Sequence, residues 1–142
     1  RELVGTAAVS QGQIAYDMFR TVFAGPRWDA LAARGARVQR PLWASTSTKN
    51  PDFPDTLYVD TLIGPESGNT LPDATLAAFE DHGTVARTVD ADTPAAKHRW
   101  HLLGELVDLD DVARVLEAEG VASFEKSFHE LLGVLERRAA AL

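Results

Sequence analysis

Four consecutive hydroxyls followed by a lysine, Ser45-Thr46-Ser47-Thr48-Lys49, are the residues of this chain best equipped for chemistry. They lie in Arg40 to Pro51, RPLWASTSTKNP, where Leu42, Trp43 and Ala44 read as a short buried strand and Pro51 closes the loop after Asn50. Hydroxyls donate and accept, and an ammonium is a compact point charge. Such a run at the carboxyl end of a strand suits an anionic group such as a phosphate. The same residues also fit a polar loop with a solvated lysine, and by themselves they leave both readings open.

Other chemistry-bearing residues have plainer explanations. His98 and His101 are three apart on one expected helix, but no carboxylate completes a zinc spacing. His82 stands at a helix end, where a cationic or hydrogen-bonding side chain suits the exposed carbonyls. His129, beside Phe128, suits a surface or interface. Asp108, Asp110 and Asp111 lack the glycine and distal glutamate of a calcium loop, and helix capping explains them better. No P-loop or dinucleotide fingerprint is present. Trp28, Trp43 and Trp100 are scattered without interleaved basic residues, which argues for core or interface positions over base stacking.

Composition narrows the class. Hydrophobic residues make up 45% of the 142, as in an ordinary folded domain, and no apolar run approaches the roughly 18 residues of a membrane span. The formal charge is −7, from 14 basic and 21 acidic residues, which disfavours nucleic acid and repels anionic substrates at long range. Any phosphate site must therefore be local. With no cysteine, disulfides, thiolate metal sites and cysteine nucleophiles are excluded.

The elements that must position the loop alternate along the chain. Thr6 to Phe23 is expected to be helical, with Ile14, Met18 and Val22 as a core stripe. Pro26 to Arg34 reads as a short helix with Trp28, Leu31 and Ala32 inward and Gly35 as a left-handed cap. A strand begins near Val38. A helix over Asp55 to Ile63 is stopped by Gly64 and Pro65, and Asn69 to Leu71 forms a further strand. Asp73 to His82 is helical and ends at Gly83. Val85 to Val89 fits a strand or an extended crossing. Thr93-Pro94 starts a helix through Leu106, the threonine hydroxyl capping it. Asp110 to Glu119, stopped by Gly120, and Ala122 to Arg138, with Phe124, Phe128, Leu131 and Leu135, complete the series.

With these segments in place the chain resembles a transaldolase of the long bacterial, actinobacterial type. The resemblance is carried by RPLWASTSTKNP, then PDTLYVDTLIGP at Pro54 to Pro65, then NTLPDATLAAFEDHG at Asn69 to Gly83. EGVASFEKSFHELLGVLERR at Glu119 to Arg138 is similar to the family's closing helix. Nearly the whole chain is covered.

The resemblance implies an α/β fold, the C-terminal portion of a (β/α)8 barrel, helix-rich and with extra C-terminal helices. Residues 1–142 would be one part of a single barrel domain, since a complete barrel takes about 250 residues. Val38 to Ala44 should then be a strand buried on both faces, with Ser45 to Lys49 at its carboxyl end. The implied reaction moves a dihydroxyacetone unit from sedoheptulose 7-phosphate to glyceraldehyde 3-phosphate through a lysine Schiff base. No metal or organic cofactor is implied, and the setting is the cytoplasm.

The family holds the substrate phosphate with a serine and an arginine after this strand. Here the serine is Ser45 or Ser47, and Lys49 takes the basic place, a point charge where the family has a bidentate fork. None of the three lysines, Lys49, Lys97 and Lys126, stands in a context like the Schiff-base strand. The expectation is a fragment, one half of a split protein or the second piece of a cleaved polypeptide, with the N-terminal part of the same barrel as partner and sugar phosphates as substrates. The competing expectation is a non-catalytic phosphosugar-binding or assembly module derived from a barrel.

Overall fold

The computed structural model describes residues 3–141. The chain divides into two compact units, Arg1–Leu102 and Leu103–Leu142. The first holds helix α1 (Ala7–Val22), α2 (Pro26–Ala32), strand β1 (Leu42–Trp43), α3 (Leu57–Asp60), β2 (Gly68–Asn69), α4 (Asp73–His82) and most of α5 (Thr93–Leu106). The second holds the last turn of α5 and the long α6 (Leu109–Ala139).

Strands β1 and β2 pair in parallel, Leu42 opposite Gly68 and Trp43 opposite Asn69. Parallel neighbours require a crossover, and α3 lies within it, so the centre of the chain is a β–α–β unit. The expected strand over Val38 to Ala44 is realised only at Leu42–Trp43. It is also not buried on both faces, because Leu42 is 62% exposed. β1 also has a single strand partner, its other edge meeting no strand among the described residues. The expected Asn69 to Leu71 strand is likewise shifted to Gly68–Asn69.

Tyr16, Leu62 and Val89 form the core of this unit, with Phe19 and Trp43 packed against it. Helix α1 reaches it through Val9, Ser10, Gln13 and Tyr16, positions three and four apart along one face. The stripe expected inside is instead largely outside, since Met18 is 62% and Val22 65% exposed. Periodicity identifies faces but not which one meets the rest of the chain. Here the face that wins carries polar groups with distant partners. Tyr16 donates to the Pro65 carbonyl at 2.9 Å, and Arg99 reaches Ser10 at 3.1 Å and Gln13 at 3.3 Å. Gly64 allows the core to close, because a Cβ there would clash with Val89 Cγ1 and press on Tyr16.

Elsewhere local signals hold. Gly35 takes φ 93°, and the Ala36 N–H returns to the Leu31 carbonyl at 3.1 Å. In α2, however, Leu31 and Ala32 are exposed, while Trp28 packs edge-on to Phe23 with centroids 4.8 Å apart. Helix α4 has its expected bounds and ends at Gly83. Helix α3 covers only part of Asp55 to Ile63. Val85 to Val89 is no strand: Thr88 and Val89 both donate to the Ile63 carbonyl, which draws Val89 into the core.

Helix α5 has the expected limits, but its cap is Asp92, whose carboxylate accepts the Ala95 N–H at 2.9 Å, and not Thr93. In the second unit Asp108 caps α6, accepting the Asp110 and Asp111 N–H groups at 3.1 and 3.0 Å, as capping predicted. The expected break at Gly120 does not occur, and α6 runs through it for 31 residues. A glycine stops a helix by adopting a left-handed conformation, and Gly120 has no positive φ. Phe124, Phe128, Leu131 and Leu135 are exposed along α6. Among the described residues no helix is long and apolar enough to cross a membrane.

Candidate functional site

The loop that leaves β1 borders a cavity of about 750 Å3. Ser45, Thr46, Ser47, Lys49 and Asn50 form its polar wall, and Leu42, Trp43, Phe53 and Leu62 its apolar wall. The cavity therefore pairs hydroxyl and ammonium groups with an apolar floor, a combination suited to a small ligand with an anionic end.

The four hydroxyls divide their work. Ser45 is exposed and sits at φ 58°, in the left-handed region that residues other than glycine seldom adopt. Thr46 is only 3% exposed, and its Oγ1 donates to Asn69 Oδ1 at 2.8 Å. Ser47 Oγ accepts from Lys49 Nζ at 2.6 Å, so these two predicted site residues share one hydrogen bond. Thr48 donates to the Asp55 carbonyl at 3.3 Å. Ser45, Ser47 and Lys49 are thus gathered on one cavity, with Thr46 as the anchor between them.

Trp43 sets the floor. Its indole Nε1 donates to the Leu62 carbonyl at 2.9 Å, which fixes the ring between the cavity and the core. The wall opposite the loop comes from α1 through Gln11 and Gly12, and Tyr58 of the crossover contributes another side. These were not singled out in the sequence. Gln11 and Gly12 lie some thirty residues before the loop, Tyr58 is on the crossover after it, and only folding brings them to it.

His82 ends α4, as expected, and two carboxylates flank it. Its Nε2 lies 2.9 Å from Asp55 Oδ1 and its Nδ1 3.0 Å from Asp81 Oδ2. The hydrogen bond to Asp55, reinforced by the one to Asp81, raises the imidazole pKa above its ordinary value, and the same bond to His82 lowers that of Asp55. Among the described residues, no group of three or more His, Asp or Glu side chains is arranged so that it could hold a metal ion. Lys97 pairs with Asp17 at 2.6 Å and Lys126 lies 3.9 Å from Glu130, both well exposed. An amine nucleophile can be activated by desolvation, and the exposure of these two lysines does not supply it.

The family model for transaldolase/fructose-6-phosphate aldolase matches residues 2–135. The chain belongs to this family. Transaldolase relatives include that of Parafrankia sp., 49% identical over 136 residues, covering 93% of this chain and 36% of that protein. The transaldolase of Frankia alni is 46% identical over 140 residues, covering 97% of this chain and 38% of the relative. That of Acidothermus cellulolyticus is 50% identical over 135 residues, covering 92% of this chain and 36% of the relative. The chain therefore spans less than two fifths of the length of the transaldolases it matches. The family's fold is the (β/α)8 barrel, whose repeat is a parallel β–α–β unit of the kind formed by β1, α3 and β2.

Proposed function

We infer that residues 1–142 are the C-terminal portion of a transaldolase barrel and supply its substrate phosphate site. Ser45, Ser47 and Lys49 hold the phosphate, and the three-carbon transfer itself is carried by a lysine outside these residues. In the full reaction that amine condenses with the ketose carbonyl of sedoheptulose 7-phosphate, losing water to form the Schiff base. Carbon–carbon cleavage then releases erythrose 4-phosphate, the retained dihydroxyacetone unit adds to glyceraldehyde 3-phosphate, and hydrolysis frees fructose 6-phosphate. The partner is the N-terminal part of the same barrel, no cofactor is called for, and the compartment is the cytoplasm.

One observation carries the reading: Lys49 and Ser47 share a 2.6 Å hydrogen bond on a cavity just beyond the carboxyl end of β1. Barrel enzymes place their sites at that end of the strands, and an ammonium already oriented by a hydroxyl offers two donors to one anion. Lysine in place of arginine makes the contact a point charge, so the serine must provide the direction that a guanidinium fork would otherwise give. Reduction with borohydride in the presence of fructose 6-phosphate, on the full natural polypeptide, tests the assignment. The adduct should map to a lysine outside this sequence. An adduct on Lys49, or none on any lysine, would reverse it.

A further inference from the structure

We propose that Thr46 is a positioning residue for the anion site, its buried hydroxyl locking the loop after β1 to the end of β2 so that Ser45, Ser47 and Lys49 face the cavity. This rests on the reading that those three residues hold the substrate phosphate.

Among the four hydroxyl residues Thr46 alone is buried. Its Oγ1 donates to Asn69 Oδ1 at 2.8 Å, with the Thr70 carbonyl further off at 3.5 Å. Backbone pairing between the strands ends where the Thr70 N–H donates to the Trp43 carbonyl at 2.9 Å. The Thr46 bond is the next link across the two strand ends, and it holds a stretch of chain that the ladder no longer holds.

Just before it, Ser45 is kept at φ 58°. A residue other than glycine stays in that region only when its surroundings impose it, and the buried anchor one residue later is such a surrounding. Thr46 borders the same cavity as Ser45, Ser47 and Lys49, but after the reversal at Ser45 its hydroxyl is spent on Asn69 across the strand ends. Thr46 need not touch the ligand in this role; it acts through the residues on either side. Valine has threonine's shape without the donor, so Thr46→Val would leave Asn69 Oδ1 facing a methyl group and free the loop to change course.

The test follows inorganic phosphate titrated into the full natural polypeptide by 1H–15N NMR. The Trp43 indole signal reports the local fold, because that N–H is tied to Leu62. Thr46→Val should weaken phosphate about five- to tenfold with the indole signal in place, the loss expected for one buried hydrogen bond. Thr46→Ser, which keeps the hydroxyl, should bind within about twofold of the unmodified protein. Asn69→Ala should match Thr46→Val, and the double variant should be no weaker than either single one, since both remove the same bond. Lys49→Met serves as the reference for the site itself.

Wild-type affinity in Thr46→Val alongside weakened binding in Lys49→Met would overturn the positioning role and leave the phosphate site standing. Wild-type affinity in both would overturn the phosphate site as well. Equal losses in Thr46→Ser and Thr46→Val would also count against the hydroxyl. If Thr46→Val does not fold, Asn69→Ala decides: weakened phosphate binding supports the role, and wild-type affinity ends it.

Discussion

Lys49 and Ser47 share a hydrogen bond, and in the proposed phosphate site that pairing divides charge from direction. Lys49→Met should weaken capture of phosphorylated substrates by about 1.5 to 3 kcal/mol, the range for hydrogen bonds to charged groups. It should leave borohydride trapping possible at saturating substrate. A full loss of trapping with the fold intact would instead make the loop the reactive centre. His82 gives a second expectation at this scale. Its pKa is raised from 6.5 by hydrogen bonds to Asp55 and then Asp81, so its contribution to stability is complete below pH 6.5 and is lost as pH rises through the raised value. Asp55 has its pKa lowered from 3.8 by the same contact, so its contribution is present above 3.8 and is lost as pH falls through the lowered value. The clasp between the crossover and the end of α4 is therefore fullest between those two pH values. An NMR titration should place His82 above 6.5, and Asp55→Asn should bring it back down; a midpoint at 6.5 in the unmodified protein would remove the clasp.

Elements are decided by what lies beside each turn, and two glycines show opposite outcomes. Gly64 stands where the crossover passes Val89 and Tyr16, so Gly64→Ala overfills the core and should destabilise the first unit by about 1 to 3 kcal/mol. Gly120 lies inside α6 with open space around it, and Gly120→Ala should stabilise the helix by about 0.5 to 1 kcal/mol. Urea unfolding of both variants checks the contrast, and a loss of stability in Gly120→Ala would mean that a break is wanted there. Both glycines look like stops in the sequence. Gly64 ends the segment after α3, whereas Gly120 has helix formers on both sides and no left-handed cap, so the helix passes through it.

At the scale of the whole molecule, the first unit joins a two-stranded parallel sheet to a cavity lined by hydroxyls and one lysine, which on the proposed reading is one side of an active site. Purified 142-residue chain should show no transaldolase turnover. Adding the remaining part of the barrel as a separate polypeptide should restore it, measured as fructose 6-phosphate formed from sedoheptulose 7-phosphate and glyceraldehyde 3-phosphate. Turnover by the chain alone would contradict the assignment of the nucleophile to residues outside it. β1 has a strand neighbour on one edge only among the described residues, and on the proposed reading the other edge is where a further strand would join.

The sequence by itself determined the family, through the ordered segments around RPLWASTSTKNP, and the features that depend on a few neighbouring residues. Those are the ends of α4 and α5, the left-handed turn at Gly35 and the Asp108 cap. Each is set by backbone dihedrals and nearby donors and acceptors, which a short window contains. It also marked Ser45, Ser47 and Lys49 as a group. Only the tertiary structure decided that α1 buries Val9, Gln13 and Tyr16 and exposes Met18 and Val22, because the choice of face depends on Pro65, Thr88 and Arg99, far along the chain. It alone separated Thr46 from the other hydroxyls, since the acceptor that draws it inward is Asn69, on the neighbouring strand and 23 residues away.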